Sequence, residues 1–132
     1  MNTFSFTARM SFNSVVIIDC LSEEETTGLH LYNDLRDLNI PAEEFHVSRT
    51  VVCSMDEIVD LLQEVERHCR SESDMRPILH FEAHGNKHGF SILGGDAPQS
   101  AEWKTLAPLL RSVNAATEYN LGVFLVTSQR MV

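Results

Sequence analysis

The stretch Ser14-Val-Val-Ile-Ile-Asp-Cys20 constrains this chain most. Four successive β-branched aliphatic residues leave it no polar face. Such a run suits a strand covered on both sides, as in a parallel sheet. Parallel strands need a crossover to reach their neighbours, and that crossover is usually a helix. The rest of the chain supplies helices and strands in alternation. Ser22-Glu-Glu-Glu25 has capping-box spacing, and Leu31, Leu35 and Leu38 follow at helical intervals until Asn39 and Pro41 stop the run. Phe45 to Cys53 reads as a second strand, with Val47, Val51 and Val52 favouring β structure. Ser54-Met-Asp-Glu57 is a second capping box, after which Ile58, Leu61, Leu62 and Val65 share one face of the most regular helix in the chain.

After a polar loop from Arg70 to Arg76, Pro77 to Ala83 reads as a third strand, with His84-Gly85 at its carboxyl end. Asn86 to Gly89 reads as a tight turn into a short strand, Phe90 to Leu93. Trp103, Leu106, Leu110 and Val113 mark a third helix, with Pro108 in its first turn or at a kink. Asn120 to Thr127 reads as a fourth buried strand. Residues 1–13 show no clear period and read as a leader or edge strand, so the domain occupies residues 14–132. The pattern predicts an α/β fold, a mostly parallel sheet with helices on both faces.

With 132 residues there is material for one domain. Acidic residues outnumber basic ones 19 to 10. Such a surface disfavours nucleic acid and anionic membranes as partners. Cys20, Cys53 and Cys69 form neither a disulfide framework nor a zinc motif. The apolar run Val15 to Ile18 is too short for a signal core or a membrane span. A reducing cytoplasm is therefore the expected location, and no cofactor is expected.

In sheets of this kind, function gathers at the carboxyl ends of the strands. That rule selects His84-Gly85 and Ser128-Gln129-Arg130. A histidine takes and gives protons near neutral pH, and a glycine N–H beside it can receive an oxyanion. Glu82 leaves the same sheet face as His84, but a carboxylate at the edge of the core is its simplest role. His80, His84 and His88 recur every four residues, a ligand spacing for a helix; here it crosses a strand and a turn, so no metal site is expected. Asp19 ends the first strand without the companion acids that a flavodoxin-like signalling domain would need. Cys20 reads as a small buried hydrophobe, Cys53 and Cys69 as inert, and Trp103 as core.

The segment Pro77-Ile-Leu-His-Phe-Glu-Ala-His-Gly85, the glycine-containing hairpin after it, Trp103-x-x-Leu106, Leu110-Arg-Ser-Val-Asn114 and Asn120-Leu-Gly-Val-Phe-Leu-Val126 resemble the CHAT domain, a branch of the caspase-like cysteine peptidases. Thr27-Gly28 fits the same pattern. The resemblance runs from about Val15 to Ser128, and Phe81 to Gly85 with the downstream Trp and Asn-Leu strand carries most of it. It implies a caspase-like three-layer α/β sandwich acting on a protein or peptide substrate. His84 would be the catalytic histidine and Gly85 N–H an oxyanion donor. The family nucleophile is a cysteine just after the next strand. In caspases the histidine lies about 50 residues upstream of it, a window that opens here near Ser128.

The sequence departs from the family at that point. Residues 128–132 contain no cysteine. Aligning on the Asn-Leu strand puts Ser128 at the nucleophile position; other alignments put Gln129 or Arg130 there. A serine without a tuned base is a poorer nucleophile than a thiolate. The second half of the family fold is absent too. The expectation is therefore a domain truncated near the nucleophile position, with an incomplete sheet that a second chain or C-terminal half would complete. The alternative expectation is an inactive interaction module that pairs with another chain.

Overall fold

The structure is a computed structural model that describes residues 11–71 and 74–127. The elements run β1 (Ser14–Asp19), α1 (Thr27–Asp37), β2 (His46–Val51), α2 (Met55–Arg70), β3 (Pro77–Gly85), β4 (Gly89–Ile92), β5 (Gln99–Glu102), α3 (Trp103–Ala116) and β6 (Gly122–Thr127). The fold is α/β, with a mixed sheet. β1 pairs in parallel with β2 and β3, and β3 pairs in parallel with β6. β3 also turns back through His84–Ser91 and Gly85–Phe90 into the antiparallel β4–β5 ribbon. The sequence pattern did not reveal β5, whose Gln-Ser-Ala-Glu has no strand-like alternation. Pairing with β4 makes it a strand, and Gly89 permits the close approach, because a Cβ there would overlap the Ala101 carbonyl.

β1 is buried at every position, as its unbroken apolar run requires. Val16, Ile18 and Cys20 face α2 and α3 together with Leu79, Phe81 and Ala83 of β3. Ile58, Leu62, Val65, Leu106 and Val113 cover them from the helices. Phe81, Phe90 and Trp103 extend this core in series, with ring centroids 5.3 Å and then 5.4 Å apart. Ser54 caps α2 as expected, accepting the Glu57 N–H at 3.2 Å, and the Glu57 carboxylate returns to the Cys53 N–H. Asn39, at φ 57°, closes α1 in the left-handed conformation that asparagine tolerates. Pro108 lies inside α3 and not in its first turn.

Two strand expectations need correction. β2 is shorter than the predicted Phe45 to Cys53: it runs from His46 to Val51, although Val52 N still donates to Asp19 O at 3.0 Å and its side chain is buried in the core. β6 is not a buried strand. Among the described residues it pairs on one side only, with β3, and Val123, Phe124 and Val126 are between 41% and 57% exposed. Register places Phe124 beside His80 and Val126 beside Glu82. Among the described residues no helix is long and apolar enough to cross a membrane.

Candidate functional site

His84 stands near the end of β3, one residue past Ala83, whose register partner is Thr127, the last residue of β6. Its imidazole is mostly enclosed, with the side chain 13% exposed. The Nε2 atom lies 2.5 Å from Glu25 Oε1. That spacing is shorter than an ordinary N–H···O hydrogen bond. The other carboxylate oxygen, Oε2, accepts the Ser22 N–H at 3.3 Å and the Ser22 hydroxyl at 3.0 Å. With the Glu25 carboxylate as acceptor, a neutral ring carries its proton on Nε2.

The Ser-x-x-Glu motif thus has a different use from the one its spacing suggests. It does not cap α1. That helix begins at Thr27, and its N-cap residue Thr26 makes no side-chain hydrogen bond. Ser22 and Glu25 instead close a turn ahead of the helix, with Glu25 N donating to Ser22 O at 3.0 Å. The turn aims Glu25 across the sheet edge at a histidine 59 residues away in sequence. No local pattern carries that contact. Glu82, the other carboxylate near His84, is buried and lies 3.5 Å from His80 instead.

Gly85 is exposed. Its N–H direction follows from the flanking ladder. Glu82 O accepts from Cys20 N at 2.9 Å and so points toward β1, and Asn86 N donates to Gly89 O at 3.0 Å and so points toward β4. Backbone groups alternate sides along a strand. The Gly85 N–H therefore points to the β6 side, where Thr127 ends the described chain.

The remaining expectations separate clearly. Cys20 is fully buried. Burial, reinforced by the Asp19 charge, pushes its thiol up to about 12. Burial and the Glu66 charge push Cys69 up to about 11. Neither is a thiolate at neutral pH, so neither is a nucleophile. Trp103 is core on one edge only, with 37% of it exposed. Asp19 is not isolated: it pairs with Arg49, and Gly28 lies against both Asp19 and Glu82. Among the described residues no group of three or more His, Cys, Asp and Glu is arranged to hold a metal ion. Ser128, Gln129 and Arg130 lie outside the described residues, as do residues 1–10 of the expected leader.

The Glu25 carboxyl is held below its ordinary value. Burial works against this, but the hydrogen bonds from His84 and from the Ser22 N–H and hydroxyl outweigh it. A carboxyl depressed in the folded state stabilises the fold above its unfolded pKa, and that stability disappears as pH falls through the folded pKa. Wild type should therefore exceed Glu25→Gln in stability at neutral pH, and the gap should narrow below about 4.5, the ordinary value. Denaturant melts of both proteins across pH check this. A gap independent of pH would mean that the carboxylate charge is not what the site stabilises.

No protein-family model matches the chain, and no curated protein matches it.

Proposed function

We propose that this chain carries the acid/base half of a caspase-like cysteine peptidase, working in the reducing cytoplasm on a protein or peptide substrate. The observation that carries the reading is the 2.5 Å Glu25–His84 contact at the end of β3, beside the end of β6. In this mechanism Glu25 fixes the ring with Nε2 protonated, as the acid does in a serine-protease triad. His84 Nδ1 then accepts the proton of the attacking thiol. The thiolate adds to the peptide carbonyl, and the Gly85 N–H receives the resulting oxyanion. As the C–N bond breaks, His84 returns the proton to the leaving amine, and water later releases the acyl group by the same base. The thiol comes from a segment or chain beyond the described residues, or Ser128 stands in its place. The caspase-like sandwich would be completed by strands beyond β6.

The test joins the native downstream coding region to this chain and measures proteolysis. His84→Ala should lower the rate by about 10²–10⁴-fold. Undiminished cleavage by that variant would remove His84 from the mechanism.

A second reading has its own support. β6 (Gly-Val-Phe-Leu-Val-Thr) is uncharged, pairs on one side only among the described residues, and leaves Phe124 and Val126 about half exposed. Strands of that kind recruit further strands. An inactive module that pairs with another chain through β6 should associate in sedimentation experiments, and Phe124→Asp should abolish the association. A strictly monomeric wild type would count against this reading.

A further inference from the structure

The loop of residues 20–26 carries Glu25, yet it contains no helix or strand that would hold the carboxylate in place. What holds it begins on the far side of β1. Asp19, the last residue of β1, is 2% exposed. Its Oδ2 accepts Arg49 Nε at 3.0 Å, and Arg49 Nη2 lies 2.9 Å away in the same ion pair, reaching over from β2. Its Oδ1 accepts the N–H of Leu21, the second residue after the strand, at 3.1 Å. The next residue is Ser22, which grips Glu25 Oε2. Arg49, Asp19, Leu21, Ser22, Glu25 and His84 therefore form one continuous chain of hydrogen bonds and adjoining peptides. Gly28 completes the fit, because a side chain there would meet the Asp19 carboxylate and the Glu82 side chain.

We propose that Arg49 and Asp19 are positioning residues for the His84–Glu25 pair. The guanidinium fixes the Asp19 carboxylate. That carboxylate sets the first turn of the loop, and the loop sets Glu25 against Nε2 of the imidazole. This deepens the reading of His84 as a general base and rests on it. A merely structural ion pair would contribute to stability and leave the histidine ring unaltered. A positioning pair controls which ring nitrogen holds the proton.

Long-range ¹H–¹⁵N spectra of the His84 ring, at a pH that keeps it neutral, distinguish the two. The full chain is compared as wild type, Glu25→Gln, Asp19→Asn, Arg49→Leu and Arg49→Lys. Wild type should show the Nε2-protonated tautomer, and Glu25→Gln should lose most of the shift difference between the two nitrogens. Asp19→Asn keeps the shape of the side chain and an acceptor for Leu21 N–H, yet it should lose most of that difference as well. Arg49→Leu should behave likewise, and Arg49→Lys, which restores the charge, should recover part of it. Wild-type ring shifts in folded Asp19→Asn and Arg49→Leu would overturn the positioning role and leave the Glu25–His84 pair standing. If Asp19→Asn fails to fold, Arg49→Leu against Arg49→Lys decides on the same criterion. A wild-type ring with no tautomer preference would overturn the pair itself, and the proposed function with it.

Discussion

Phe81→Ala is expected to cost about 3–5 kcal/mol of folding stability, the range for truncating a fully enclosed aromatic ring. Phe81 is 0% exposed and projects from the middle of β3 into the α2–α3 layer. Its ring meets Phe90, which meets Trp103 at the start of α3. One side chain thus joins the central strand, the antiparallel ribbon and a helix. Domains of this size have only about 5–15 kcal/mol in hand, so the variant would be close to unfolding. It would loosen the ribbon first, and with it the turn that follows His84. Phe81→Leu, which keeps most of the volume, should cost less, about 1.5 kcal/mol or under. Urea titration of the three proteins gives the comparison. A loss below about 1 kcal/mol for the alanine variant would show that the core closes around the gap, contrary to the dense packing expected of interiors.

Gly28→Val is expected to act on both stability and the site. Gly28 is the one buried residue of α1, and it lies where a β-carbon would overlap the Asp19 carboxylate and crowd Glu82. Overfilling a packed contact typically costs 1–3 kcal/mol. The upper end, about 3 kcal/mol, is expected here, because the obstacle is a carboxylate tied to Arg49 and not a free side-chain tip. The helix has little else to hold it, since Leu31 and Leu35 are only half-buried. It would be displaced outward, drawing Glu25 off the imidazole. Thermal melts measure the first effect and the His84 ring spectrum the second. A variant with lower stability but an unchanged ring would show that α1 and the Glu25 loop move independently.

Much of the architecture was legible because it is written in local patterns. The doubly apolar run of β1, the Ser54 cap with its heptad-like successors, and the strand ending at His84 each depend on residues close in sequence. The misreadings have a common physical origin. Whether an apolar strand such as β6 is central or marginal depends on what lies beside it, which its own residues do not state. Ser22 and Glu25 have the spacing of a helix cap, and a partner distant in the chain, His84, gives them other work. The place of His84 and Gly85 at the end of a strand was legible. Glu25 was not, because a contact across 59 residues leaves no periodic trace.

β3 is bonded to three neighbours, β1, β4 and β6, where an interior strand usually has two. Backbone amides exchange with solvent only when their own segment opens, and the most densely tied segments open last. The peptide groups around Phe81 and Glu82 should consequently be the slowest in the molecule to take up deuterium. His84 rides the end of that segment, so its backbone keeps its place while the loops and helices around it breathe.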